Sequence, residues 1–122
     1  MIIREIISGL KGAWHSGRGH KATRRKEYEK ALLHYKLALK YEKEGGIIGS
    51  GENAVTLECL ARTQARLGNY KEALSTAETS YAIYKTIKSQ AQVVISSIAR
   101  IERFITALKS GNKDDINRIL GI

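Results

Sequence analysis

The residues of this chain whose types could support chemistry are three histidines, one cysteine and several glutamates. His15, His20 and His34 have no cysteine or further histidine at the regular spacing of a structural zinc site, and the lone Cys59 cannot form an internal disulfide. The glutamates alternate with Lys and Arg at helical spacing, which is typical of surface ion pairs rather than of paired catalytic carboxylates. We therefore predict no catalytic residues, no metal site and no cofactor, and we do not expect an enzyme.

Two glycine patterns have the spacing of phosphate-binding loops. Gly17 and Gly19 begin a G-x-G-x-x-A sequence that ends at Ala22, but no predicted strand precedes it, as a dinucleotide fold would require. The Gly46 to Gly51 spacing is followed by Glu52-Asn53, where a phosphate loop needs Lys followed by Ser or Thr. We interpret the first pattern as a turn between helices and the second as a loop.

A basic stretch is the strongest electrostatic feature of the sequence. Residues 1–44 hold eleven basic and five acidic side chains, and therefore +6 of the net charge of +9. Cations at the start of a helix oppose its dipole, so contact with phosphates or with an acidic protein surface would explain them. Few aromatic residues interleave with these charges, so base stacking is not indicated. The predicted basic patch comprises Arg18, Lys21, Arg24, Arg25 and Lys26.

Composition and periodicity predict helices. The 122 residues contain 43% hydrophobic side chains and no proline, which favours a single domain of long helices separated by glycine-marked turns. Apolar residues at three- and four-residue spacing predict six helices and no strand. A turn is expected at Gly17 and Gly19, and Asn53 is the expected N-cap of the third helix. The predicted helices cover residues 2–14, 21 or 23–44, 54–67, 70–88, 90–109 and 114–120.

An internal repeat connects these helices. Tyr28-Glu29-Lys30-Ala31-Leu32 matches residues 70–74 at an offset of 42, and the turn Gly68-Asn69 recurs as Gly111-Asn112 at an offset of 43. Self-similarity at this period predicts a stacked array of antiparallel helix pairs. The repeat positions are Leu57, Leu60 and Ala61 in a first helix, Gly68-Asn69-Tyr70 in the turn, and Ala73, Ala77 and Ser80 in a second helix.

Those positions resemble the tetratricopeptide repeat (TPR) family, in the long-period form found in kinesin light chains and bacterial regulators. The resemblance is strict over residues 54–85 and implies an all-α fold, a TPR-like α-solenoid of about six helices. Residues 1–44 would be an irregular first repeat or a cap, residues 54–88 the best repeat and residues 90–122 a degenerate last one. The first helix of the first repeat is either the 2–14 helix or an irregular segment. A generic array of helix pairs is the alternative fold.

The resemblance also implies a function, namely binding of a protein or peptide on the concave face of the first helices. Arg62 and Arg66 lie four residues apart and could hold a partner carboxylate, so we expect an acidic partner. The alternative is a nucleic-acid-associated accessory protein that uses the basic patch. The expected groove residues are Val55, Glu58, Arg62, Arg66, Arg100 and Arg103.

Two further expectations concern the surroundings of the protein. Fewer than three full repeats make a marginal array, so the 2–14 helix, the apolar stripe of residues 94–108, or both should act as caps or pair with a second copy in a homodimer. No apolar run reaches the length of a membrane span, so we expect a soluble cytoplasmic protein without membrane contact.

Overall fold

Six helices follow one another through short turns in the computed structural model, which describes residues 2–87 and 91–122. Each helix packs against the next one in the chain, and the α1/α2 and α3/α4 pairs are the most extensive. Within the described residues there is no strand, so the predicted all-α array of six helices in adjacent pairs is confirmed. The helix ends predicted at Lys88 and Gln90 lie outside the described residues. The helices are α1 (Ile2–Arg24), α2 (Tyr28–Glu44), α3 (Gly51–Arg66), α4 (Tyr70–Thr86), α5 (Gln92–Ser110) and α6 (Lys113–Leu120).

Helix α1 differs most from the sequence prediction. It continues through Gly12, Gly17 and Gly19 to Arg24, so the prediction of a helix that ends near Trp14 and a turn at Gly17 and Gly19 is wrong. Gly12 and Gly19 are buried against α2, and a Cβ atom at Gly19 would lie 2.6 Å from the Tyr35 ring. These two glycines therefore allow the helices to approach closely.

The turn between α1 and α2 explains why α2 begins at Tyr28 rather than at Lys21 or Thr23. Lys26 has a left-handed φ of 60°, and the Glu27 N–H donates to the Ala22 carbonyl at 2.9 Å. Forty-two residues later, Gly68 has a φ of 84° and the Asn69 N–H donates to Gln64 O at 2.8 Å. Both turns thus end a helix in the same way, and the repeat extends back into α1.

The start of α3 also differs from the prediction. The Ser50 hydroxyl caps the helix by accepting a hydrogen bond from the Asn53 N–H at 3.1 Å. Asn53 is therefore not the N-cap but a buried residue of the first turn, and its side-chain amide donates to the Glu42 carboxylate at 2.8 Å.

Two apolar clusters hold the array together. The larger one spans α3 to α6, where Ala61, Ala73 and Ala77 are fully buried at the contacts between helices and Phe104 and Ile116 fill the space between them. The predicted 94–108 stripe contributes Ile101, Phe104, Ile105 and Leu108 to this cluster. The smaller cluster joins α1 to α3 and consists of Ala22, Ala31, Tyr35 and Leu60. Small residues at these contacts let helix axes approach closely.

None of the helices in the described part of the chain combines the length and the apolar character needed to cross a membrane.

Candidate functional site

A cleft of about 590 Å³ lies where α1, α3 and α5 face one another. These three are the first helices of the three pairs, so the cleft occupies the face that the repeat pattern predicts to be concave. Small residues of α1 form one wall, and apolar residues of α3 and α5 form the other. The two walls include Gly9, Ala13, Gly17, Val55, Val93 and Val94.

A buried polar group supports the middle of this cleft. The Glu42 carboxylate of α2 accepts hydrogen bonds from Asn53 Nδ2 at 2.8 Å and from the Thr56 hydroxyl at 2.6 Å. All three residues are buried. Burial raises the pKa of Glu42, although the two hydrogen bonds act in the opposite direction. This group ties α2 to α3 below the cleft.

Glu42 and its partners were not among the site residues predicted from the sequence. Glu42 is separated from Asn53 and Thr56 by a glycine-rich loop, and its surroundings look like a charged helix end. The one signal in the sequence was the repeat, since Glu42 lies 42 residues before Tyr84, another buried position that contacts the cleft.

Glu58, one of the expected groove residues, is the centre of a buried ion pair. Its carboxylate accepts two hydrogen bonds of 2.7 Å from Arg100, one of 3.3 Å from Arg62 and one of 2.9 Å from the Tyr84 hydroxyl. Burial opposes ionisation of Glu58, but the hydrogen bonds and charge of Arg100, together with Tyr84 and Arg62, lower its pKa below the ordinary value. Glu58 therefore joins α3, α4 and α5. Removing Arg100 would take away its two shortest hydrogen bonds and leave the buried carboxylate with the longer Arg62 contact and the Tyr84 hydroxyl.

The expected groove arginines lie in different places. Arg62 and Arg100 meet at Glu58, and the Arg62 guanidinium also lies 4.9 Å from the centre of the Phe104 ring. Arg66 donates to the Leu120 carbonyl at 3.3 Å and lies 5.5 Å from the Tyr28 ring centre, so it fastens the C-terminal helix. Arg103 is exposed in a second hollow on the far side of α5.

Of the six expected groove residues, Val55 lines the cleft with its side chain partly exposed. The expectation of an acidic partner depended on free arginines, whereas the charged residues that line the cleft within the described part of the chain are Glu42 and Glu52.

The structure divides the basic patch. Arg18, Lys21 and Arg25 line a shallow depression at the end of α1 together with Lys30 of α2. Arg24 instead lies near His20, whose pKa is lowered by burial and by the charge of Arg24. Lys26 occupies the left-handed position of the α1/α2 turn.

The N-terminal part of α1 leaves its apolar face uncovered. Ile2, Ile3, Ile6, Ile7 and Leu10 are all exposed in the single chain, with exposed fractions between 47% and 72%. The prediction that residues 2–14 cap the array or pair with a second copy stays a prediction.

Comparisons with protein families, with curated proteins and with solved structures found no match for this chain. Its function must consequently be inferred from geometry. Within residues 2–87 and 91–122, no three His, Cys, Asp or Glu side chains come close enough to hold a metal ion. Burial raises the pKa of the Cys59 thiol, which keeps it in the weakly nucleophilic protonated form.

Proposed function

We propose that this protein is a TPR-like interaction module that holds a segment of a partner protein in the cleft between α1, α3 and α5. The observation that carries the proposal is the cleft itself, a preformed concavity whose walls are apolar and whose polar groups are few and fixed. Clefts of this size and lining are the common form of recognition sites. The sequence repeat supports the same function, because arrays of helix pairs create concave binding surfaces.

The lining indicates the chemistry of the partner. Val93 is 72% exposed and Val55 is 45% exposed, so both can gain contacts with an apolar side chain. Glu52 lies at the edge of the cleft and is exposed, so a basic residue of the partner would be favoured beside it. We therefore infer that the partner segment presents apolar side chains flanked by Lys or Arg.

A peptide-display selection tests this proposal, because it requires no identified partner. Random peptides of about 15 residues would be selected on the purified protein, and the dissociation constants of the enriched peptides would be measured by fluorescence anisotropy. We expect apolar peptides with basic flanks. Val55→Arg and Val93→Arg should each weaken their binding at least tenfold, because a charge would enter the apolar cleft.

Ile95 provides the matched control. Like Val55 it is 45% exposed, but it lies on the other side of α5 and lines the second hollow. Ile95→Arg should leave peptide affinity unchanged. The opposite result would refute the proposal that peptides bind in this cleft. In that case the peptides would bind Val55→Arg and Val93→Arg as tightly as the native protein but would lose binding to Ile95→Arg.

A further inference from the structure

Four aromatic side chains gather on the outer side of the α1/α2 pair, away from the cleft. The rings of His15 and Tyr41 are nearly parallel, with an angle of 4° and centres 5.5 Å apart. His15 Nδ1 lies 3.0 Å from His34 Nδ1, so the two imidazoles share a hydrogen bond. The Trp14 ring stands edge-on to His15 at 4.9 Å and to His34 at 6.1 Å. We call Trp14, His15, His34 and Tyr41 the aromatic platform.

The indole of the platform remains open to solvent. Trp14 is 58% exposed although both histidines contact it. An exposed tryptophan held in place by neighbouring rings is unusual at a surface without a partner, because burying it would contribute a large apolar area. The platform therefore presents a largely exposed flat ring on which another planar group can stack.

Cations surround this ring system. The Arg18 guanidinium lies 5.3 Å from the centre of the Trp14 ring, and Lys11 Nζ and Lys40 Nζ lie 5.5 and 5.6 Å from the centre of the Tyr41 ring. Arg18 also belongs to the shallow depression that Lys21, Arg25 and Lys30 line. Four cations and one acidic residue, Glu27, line that depression, so positive charge predominates from one side of the platform to the end of α1.

We propose that this outer face binds single-stranded nucleic acid, with a base stacked on Trp14 and backbone phosphates on the surrounding lysines and arginines. Exposed aromatic rings between cations are the combination by which proteins hold unpaired strands. In a duplex the bases are stacked on one another and cannot cover an indole. This site lies outside the cleft proposed for peptide binding, so either can exist without the other.

The same charges argue against a symmetric pair of molecules on this face. A symmetric pair meeting through the platform would place two sets of these cations in one interface, and like charges in an interface oppose association. An acidic polypeptide remains a competitor on charge alone, but it offers no planar groups for the indole unless it is rich in aromatic residues.

The intrinsic fluorescence of the protein tests stacking directly, because Trp14 is its single tryptophan. Titration with a 15-nucleotide oligo(dT) at low salt should quench this fluorescence in a saturable way, and the same-length duplex and poly-glutamate should not. Quenching equal to that of oligo(dT) by the duplex or by poly-glutamate, or no binding of oligo(dT) at all, would overturn the proposal.

Two substitutions separate stacking from charge, with affinity measured by the anisotropy of labelled oligo(dT). Trp14→Ala should weaken binding by about 5- to 150-fold, the range for losing one base–aromatic stack, and circular dichroism should show an unchanged helix content because the ring is exposed. Arg18→Ala should reduce the slope of log K against log salt by about 0.7, the value for one phosphate contact on a single strand.

Lys85 supplies the matched control for charge, since it lies 5.0 Å from the Tyr81 ring centre on α4 and away from the platform. Lys85→Ala should leave the salt slope unchanged. Two results would show diffuse electrostatic attraction and overturn the site. One is an unchanged affinity in Trp14→Ala, and the other is a salt slope that falls equally in Arg18→Ala and Lys85→Ala.

Discussion

The close contact of α1 with α2 at Gly19 leads to a quantitative prediction. Gly17 and Gly19 are two residues apart in the same helix, and Gly→Ala in a helix gains about 1 kcal/mol from backbone propensity at either position. An added Cβ at Gly17 meets nothing within 4 Å, whereas at Gly19 it would lie 2.6 to 2.8 Å from three atoms of the Tyr35 ring. The two substitutions therefore differ in packing and not in propensity.

Their expected magnitudes follow from that difference. Tyr35 is 2% exposed, and its hydroxyl shares a hydrogen bond of 2.8 Å with His20 Nδ1, so the ring cannot move aside without disturbing both its packing and that hydrogen bond. Overpacking in such a site costs about 1 to 3 kcal/mol. Gly17→Ala should raise the free energy of unfolding by about 1 kcal/mol, and Gly19→Ala should leave the protein about 1 to 3 kcal/mol less stable than Gly17→Ala.

Urea unfolding followed by circular dichroism at 222 nm measures both values. The penalty at Gly19 should largely disappear in a Tyr35→Leu background, and the double-mutant cycle isolates that coupling. If Gly19→Ala stabilised the native protein as much as Gly17→Ala does, the contact between α1 and the Tyr35 ring would not exist, and the role assigned to Gly19 would be wrong.

The other predictions concern two buried carboxylates and one turn. The pKa of Glu58 is lowered from its ordinary 4.5. The contribution of Glu58 to stability is therefore present above pH 4.5 and is lost as the pH falls through the folded pKa. Relative to Glu58→Gln, the native protein should gain stability as the pH rises from 3 to 5. Burial raises the pKa of Glu42, so its contribution is present below 4.5 and is lost as the pH rises through the folded pKa. The stability of Glu42→Gln relative to the native protein should therefore increase as the pH rises from 4 to 7. Urea unfolding across pH 3 to 8 checks both, and the reasoning fails if the two variants shift in the same direction. Lys26→Gly should raise the free energy of unfolding by about 0.5 to 1 kcal/mol, because glycine adopts the left-handed φ without steric cost. Thermal unfolding measures this gain, and the Lys26→Ala control should show none.

The sequence correctly predicted the features that depend on neighbours in the chain. Apolar residues at three- and four-residue spacing indicated six helices, because each helix must bury one face. The Gly68-Asn69 turn was recognisable because a left-handed residue at a helix end favours glycine. The equivalent turn at Lys26 was missed, since lysine occupies the left-handed position there and gives no local signal.

Some features of the candidate sites depended on distances between remote residues. Whether Gly19 ends a helix or packs inside one depends on Tyr35, and whether Arg100 is available to a partner depends on Glu58, 42 residues before it. Trp14 and Tyr41 belong to one platform only because α1 and α2 lie side by side.

The helical class and the repeat of this protein are therefore properties of its amino-acid sequence alone, since both arise from local periodicity and turn chemistry. Tertiary packing determines which glycines bring helices together, which arginines are already paired and which aromatic rings face solvent among cations. Those outcomes follow from the contacts between helices, because the contacts set the distances between side chains that are far apart in the sequence. The spacing of residues along the chain does not determine these distances.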